Sequence, residues 1–111
     1  MQARPRDVRL YITSDGHRPF EEWVESIRDI KTQTKILDRI PRVRRGNFGD
    51  SRHLDGGLYE LRIHYGAGYR IYLGEVDSQT VLLLWGGSKR TQRRDIQRAR
   101  TYWEDFKRRT S

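Results

Sequence analysis

Three strand-like segments in the second half of the chain limit the fold more than any other feature of the sequence. The segments are LYELRIH (58–64), YRIYLGEV (69–76) and TVLLLWG (80–86), and the short turns YGAG and DSQ join them. Aromatic and β-branched runs separated by such turns are typical of β-hairpins, so the sequence predicts a three-stranded antiparallel meander. The third segment is apolar at every position from Val81 to Trp85. We therefore expect both of its faces to be covered, as in an interior strand.

The alternation of apolar and polar residues determines the register of the first hairpin. One face carries only apolar and aromatic residues, namely Tyr59, Leu61, Ile63, Tyr69, Ile71 and Leu73. Keeping this set together pairs Arg62 with Arg70 and Glu60 with Tyr72, because a slip by one residue would turn one strand's core residues to solvent. Like charges directly opposite each other cost up to about 1 kcal/mol. The Arg62–Arg70 pair thus indicates an anion site, although the alternative is that both side chains extend into water and Glu60 neutralises one of them.

The remaining segments predict an α+β fold in a single domain covering residues 1–111. VRLYIT (8–13) predicts a first strand, and a helix follows from Pro19 to about residue 30. A second helix begins near Thr32 and is kinked by Pro41, and residues 46–57 form a loop. The segment from about 91 to 109 repeats apolar residues at helical spacing, which predicts an amphipathic terminal helix.

The charge of the chain indicates a polyanionic partner. Lys and Arg number 23 against 15 Asp and Glu, which gives a formal charge of +8, and 19 of the cations are arginine. Arginine matches phosphate geometry and stacks on bases, so nucleic acid is the expected partner. There is no cysteine, and the three histidines lack metal-ligand spacing, so we expect no metal and no cofactor. The longest apolar run, VLLLW, is too short to cross a bilayer, so a cytoplasmic protein without membrane association is expected.

Four blocks of the sequence resemble the RelE/ParE superfamily of toxin–antitoxin toxins. They are GNFGD, GGLYELRIHYGAGYRIYL, LLLWGGSKRTQ and RDIQRA, and they are most similar to the HigB-like, phage-derived addiction module killer proteins. The resemblance runs from about residue 23 to 103. It implies a small RelE-like fold with an N-terminal strand, two helices, a three-stranded meander and a terminal helix.

The resemblance also implies a function and a set of site residues. The implied activity is metal-independent, ribosome-dependent endoribonuclease cleavage of mRNA, leaving a 2′,3′-cyclic phosphate and a 5′-hydroxyl. The implied protein partner is a cognate antitoxin, a helix-turn-helix protein encoded next to the toxin gene. Arg70, in GYR, matches the arginine that contacts the scissile phosphate, and Arg62 matches a basic strand residue. Lys89 and Arg90 match the basic pair after the last strand.

Proton transfer is left with three candidates on the polar face of the hairpin, Glu60, His64 and Tyr72. Glu60 and His64 lie four residues apart on a strand, about 13 Å, so at most one of them serves a given phosphate. Some RelE toxins have lysine at the position of Glu60, and the tyrosine of their terminal helix is replaced here by Ile96. Two other functions remain open: a ParE-like gyrase poison, and a module that binds nucleic acid or antitoxin without catalysis.

Overall fold

The computed structural model describes residues 4–111, which form an α+β fold. The elements are, in chain order, β1 (Asp7–Leu10), α1 (Pro19–Ser26), α2 (Ile30–Leu37), α3 (Arg39–Arg44), β2 (Ser51–Asp55), β3 (Leu58–Ile63), β4 (Tyr69–Glu75), β5 (Thr80–Ser88), a 3-10 turn (Lys89–Thr91) and α4 (Gln92–Thr110). The predicted α+β class, the first strand and the terminal helix are confirmed.

The strands form one mixed sheet in the order β1-β5-β4-β3-β2. β1 runs parallel to β5, and the other neighbouring pairs are antiparallel. β5 is thus an interior strand, as its apolar run predicts. The prediction of a three-stranded meander was incomplete, because the segment expected to be a loop contains β2. This edge strand, SRHLD, has no β-branched or aromatic residue, and it is held by pairing with β3 on one side only.

The register of the β3–β4 hairpin agrees with the prediction. Arg62 lies opposite Arg70, Glu60 opposite Tyr72, and Leu61 opposite Ile71. The apolar alternation was therefore sufficient to place the two arginines side by side.

Both faces of the sheet are covered by helices. One core, under the N-terminal helices, contains Phe20, Val24, Ile36, Val43, Leu61, Ile63, Ile71, Leu73, Val81 and Leu83. A second core, under α4, contains Tyr11, Leu58, Tyr72, Leu82, Leu84, Ala99 and Trp103. The face of β3 and β4 that the sequence presents as polar is therefore partly closed by α4.

The α2–α3 region is broken earlier than the proline predicts. α2 begins after Asp29, whose carboxylate accepts hydrogen bonds from the backbone N–H and the hydroxyl of Thr32 at 3.2 and 2.6 Å. The helix ends at Leu37, and Pro41 lies in the first turn of α3, where a missing backbone donor is tolerated. The predicted kink is therefore a break between two helices at Asp38.

Within residues 4–111, no helix is both long enough and apolar enough to cross a bilayer.

Candidate functional site

A buried glutamate lies at the centre of the polar face of β3. Glu60 has no exposed side-chain surface, although a charged residue is rarely buried unless it is paired. Its Oε2 atom accepts hydrogen bonds from the Tyr72 hydroxyl at 3.1 Å and from Nε2 of Gln92 at 2.9 Å. Tyr72 is its cross-strand neighbour, and Gln92 belongs to the first turn of α4. The carboxylate is thus fixed from the sheet and from the helix above it.

Three arginines surround this carboxylate, one from each of three neighbouring strands. Nε of Arg62 lies 3.6 Å from Oε1, Nε of Arg70 lies 3.6 Å from Oε2, and Nη2 of Arg52 lies 3.5 Å from Oε1. Three cations and one carboxylate leave this arginine cluster (Arg52, Arg62, Arg70 and Glu60) with a net charge of +2. For Arg62 and Arg70 the nearest atom is Nε, and within residues 4–111 neither of these Nε atoms nor Oε1 of Glu60 makes a hydrogen bond.

The exposure of the three arginines differs in a way that matters for binding. The side chain of Arg70 is 12% exposed, that of Arg62 35% and that of Arg52 47%. Arg70 is therefore the best ordered of the three, and Arg52 and Arg62 form the open rim. Arg52 was missed by the sequence analysis because β2 was not recognised as a strand, and its register opposite Glu60 follows only from that strand.

Lys89 adjoins the arginine cluster through the β3–β4 turn. Its backbone N–H donates to the carbonyl of Gly68 at 2.9 Å, and its side chain is exposed. A Cβ at Gly68 would lie 3.6 Å from Cβ of Lys89 and 3.9 Å from Nη1 of Arg70. Gly68 therefore faces both side chains, and the glycine leaves space between them. Arg90, the next residue, is also exposed in the 3-10 turn.

The structure separates the three proton-transfer candidates. Tyr72 is buried, and burial together with the adjacent Glu60 charge raises the pKa of its hydroxyl far above the usual range. It therefore stays protonated and serves as a donor to Glu60. His64, in contrast, is 77% exposed and lies past the end of β3, where its Nε2 is 2.5 Å from Oδ2 of Asp50. This contact with His64 is the largest cause of the lowered pKa of Asp50.

The N-terminal end of α4 is held on the sheet by a buried aspartate. Asp95 is 3% exposed and accepts hydrogen bonds from Nε1 of Trp85, at 3.0 Å, and from the Thr91 hydroxyl. Gly87 on β5 lies opposite Arg70, and any Cβ there would overlap the Asp95 carboxylate. The missing side chain of Gly87 thus allows α4 to approach the sheet and brings Gln92 to Glu60.

Fold and site together define the class of molecule: a small α+β protein whose mixed sheet carries a cationic cluster built around a buried carboxylate. No family model matches the chain. Among curated proteins it is similar to an uncharacterized protein of Haemophilus influenzae strain Rd, with 42% identity over 81 residues that cover 73% of this chain and 82% of the relative. The chain belongs to the same family as that protein.

Proposed function

We propose that this protein is the toxin of a type II toxin–antitoxin system, a cytoplasmic RelE-like endoribonuclease that cleaves mRNA on the ribosome and arrests translation. The proposal is supported by the sequence blocks that resemble the RelE/ParE superfamily and by the basic charge of the chain. It is also supported by the order of the elements, in which a strand and helices precede an antiparallel meander and a terminal helix.

The observation that carries the proposal is the arrangement of Arg62 and Arg70 around Glu60. The two guanidinium groups lie against the carboxylate, and in each of them the nearest atom is Nε, at 3.6 Å. Paired guanidinium groups match the oxygens of a phosphodiester. Lys89 adds a third cation beside Gly68.

The proposed reaction is an internal transesterification of RNA. The ribose 2′-oxygen forms a bond to the adjacent phosphorus, and the bond from phosphorus to the 5′-oxygen of the next nucleotide breaks. The 2′-hydroxyl loses a proton and the leaving 5′-oxygen gains one, so the products are a 2′,3′-cyclic phosphate and a 5′-hydroxyl. Negative charge increases on the phosphorane oxygens in the transition state. The cations at Arg62, Arg70 and Lys89 would therefore stabilise the transition state more than the ground state.

His64 is the proton-transfer candidate that solvent and substrate reach. Glu60 and Tyr72 are buried and bonded to each other, whereas His64 is 77% exposed and oriented by Asp50. An imidazole held by a carboxylate is a common general base or acid. In this proposal Glu60 orients the arginines without touching the phosphate, and Tyr72 donates to Glu60. His64 transfers one of the two protons, for a phosphate bound on the Arg62 side of the cluster, where Arg62 also acts on the charge of Asp50.

The test compares the wild type with Arg70→Gln and with a control variant, Arg28→Gln, in controlled expression. Arg28 is an exposed cation in the α1–α2 connection, so its loss changes the net charge equally. We expect the wild type and the control to arrest growth and to produce new mRNA 5′ ends. Arg70→Gln should cleave mRNA about 100-fold more slowly or less, and it should therefore not arrest growth. Incubation of translating ribosomes with purified protein then tests whether cleavage is direct.

Two outcomes would contradict the proposal and favour the other classes of function. Growth arrest with DNA damage and intact mRNA would indicate a ParE-like gyrase poison. RNA binding that Arg70→Gln weakens, without cleavage or growth arrest by the wild type, would indicate a module that only binds.

The proposed antitoxin is a helix-turn-helix protein with an acidic segment that covers the arginine cluster. Contact with Arg62, Arg70 and Lys89 would prevent these cations from binding RNA and from stabilising the transition state. The opposite charges of the acidic segment and the cations favour such a complex. Co-expression with the adjacent reading frame should suppress growth arrest. The two proteins should also copurify at low salt.

A further inference from the structure

A second group of cations lies outside the arginine cluster, in a cleft between the α2–α3 region and the end of β3. The cleft has a volume of about 400 Å³. Its charged lining comprises four cations and two carboxylates, namely Lys35, Arg39, Arg42, Arg62, Asp38 and Asp50. These six residues carry a net charge of +2. The cleft therefore favours an anion.

Arg39 is a buried cation whose charge is not matched by a carboxylate. It is 6% exposed, and its Nη1 and Nη2 atoms donate to the backbone carbonyls of Arg62 and Phe48. The carbonyls accept from Nη1 and Nη2, Nε makes no hydrogen bond within residues 4–111, and carbonyls do not cancel the charge. Across residues 4–111, neither Arg39 nor Arg42 has a carboxylate within ion-pair distance.

Gly49 shows that the guanidinium groups of Arg39 and Arg42 converge. A Cβ on Gly49, whose φ is +65°, would lie 2.7 Å from Nη2 of Arg39 and 3.1 Å from Nη2 of Arg42. Burial and the charge of Arg42 both lower the pKa of Arg39, which is the expected effect of a like charge nearby. The charge of Asp50 partly opposes these effects, but Asp50 forms no ion pair with Arg39 or Arg42 within residues 4–111, so the two neighbouring guanidinium groups favour a further anion from outside the chain.

The cleft also offers an aromatic ring and is continuous with the arginine cluster. Tyr65 lines it, and the amino group of Lys35 lies 5.6 Å from the centre of the Tyr65 ring. Cations next to an aromatic ring are typical of sites for single-stranded nucleic acid, where phosphates meet the cations and a base stacks on the ring. Arg62 lines this cleft as well as bordering Glu60.

We infer that this cleft binds a phosphodiester of single-stranded RNA next to the cleaved bond, through Lys35 and Arg42 at the surface and the fixed charge of Arg39 behind them. This inference rests on the proposed function and extends its substrate contacts to the helical side of β3. An RNA strand would pass from Lys89 and Arg70, over Arg62, to Arg42.

The experiment measures binding without cleavage. The probe is a fluorescent 2′-O-methyl RNA of about ten nucleotides, a length within the range of single-strand sites, in which the attacking hydroxyl is blocked. The variants are Arg42→Gln and Lys35→Gln, both exposed positions, with Arg28→Gln as the control for net charge and Arg70→Gln as the marker of the arginine cluster. We expect each cleft variant to weaken binding about 3- to 10-fold and to lower the slope of log K against log salt by about 0.7, the value for one single-strand phosphate contact.

The outcomes separate this inference from the proposed function. If Arg70→Gln weakens binding while Arg42→Gln and Lys35→Gln match the Arg28→Gln control, the cleft inference is wrong and the proposed RNA site stands. If the cleft variants weaken binding while the wild type cleaves no mRNA, the cleft inference stands and the nuclease proposal fails. Binding of polyglutamate in place of RNA, with the same dependence on Arg42, would assign the cleft to an acidic protein and overturn the inference.

Discussion

Replacement of Glu60 by glutamine tests the central element of the candidate site, because it removes one charge at almost constant volume. The amide oxygen can still accept from Tyr72 and Gln92. The amide nitrogen would then face Arg52 and Arg62, which would lose their shared counter-ion. We expect the three arginines to repel one another and to separate.

The loss of stability follows from the burial of the groups involved. Removal of one partner from a buried ion pair costs about 3–5 kcal/mol. Arg52 and Arg62 are 47% and 35% exposed, so water replaces part of their lost contact, whereas Arg70 is 12% exposed and is left without a partner. We therefore expect the lower end of the range, about 3 kcal/mol, which corresponds to a fall in Tm of about 10 °C for a domain of this size. A protein of typical stability would remain folded.

Thermal and urea unfolding measure this change, with Glu104→Gln as the matched control. Glu104 is 55% exposed and pairs with Lys107 at 3.1 Å on the surface of α4, so its replacement should cost less than about 1 kcal/mol. The double variant Glu60→Gln/Arg70→Gln should recover part of the lost stability, because it removes the cation that has no partner. A Glu60→Gln variant as stable as the control would refute the assigned role of the carboxylate.

Under the proposed function, the same variant should affect RNA binding and cleavage in opposite directions. Removing a negative charge from a cationic surface strengthens non-specific attraction to RNA, so affinity should rise about twofold or more at low salt. Cleavage should fall, because Arg62 and Arg70 are no longer held in one geometry and small displacements reduce catalysis strongly. A purely structural role for Glu60 would lower both quantities together, and that result would contradict the positioning role.

Three further predictions concern other parts of the structure. Gly87→Ala should destabilise the fold by about 1–3 kcal/mol, measured by urea unfolding, because its Cβ overlaps the Asp95 carboxylate and displaces α4. Asp105→Asn should lower Tm at pH 7. The Tyr11 hydrogen bond holds the pKa of Asp105 below its value in the unfolded chain, so the Asp105 carboxylate stabilises the fold above the unfolded pKa and loses this effect as the pH falls through the folded pKa. The gap between the melting curves of wild type and variant should therefore close below about pH 4. His64→Gln should change the free energy of unfolding by less than about 0.5 kcal/mol and, under the proposed function, should reduce cleavage about 100-fold or more.

The sequence was sufficient to predict the structure where the pattern of apolar residues is local and periodic. The apolar alternation of the β3–β4 hairpin placed Arg62 opposite Arg70, and the unbroken apolar run of β5 placed that strand inside the sheet. Both inferences use side-chain direction alone, which a strand imposes at every second residue. The amphipathic terminal helix was likewise predicted from the spacing of its apolar residues, and one of them, Trp103, is 3% exposed.

The sequence was insufficient to predict the structure where an element or contact depends on a neighbour distant in the chain. SRHLD has no strand pattern and becomes β2 through its pairing with β3, so Arg52 was not recognised as a member of the arginine cluster. The position of α4 over Glu60 depends on Gly87 and Asp95. Nothing in the sequence next to either residue distinguishes it from a glycine of a turn or an aspartate of an exposed helix. A buried polar contact of this kind requires the three-dimensional packing to be known.

The apparent defect in the hairpin, two arginines side by side, is resolved by the residue two positions before the first of them. Glu60 lies between Arg62 and Arg70 and is shielded from water by Tyr72, so its field acts on both guanidinium groups with little screening. One carboxylate offsets the repulsion but cannot neutralise three arginines. The cluster therefore retains a charge of +2 before any ligand arrives, with Arg70 held by burial beside Glu60 and with Arg62 and Arg52 at the open rim. A site whose cations are already oriented requires little reorganisation when a phosphate gains charge, which is the condition for electrostatic catalysis.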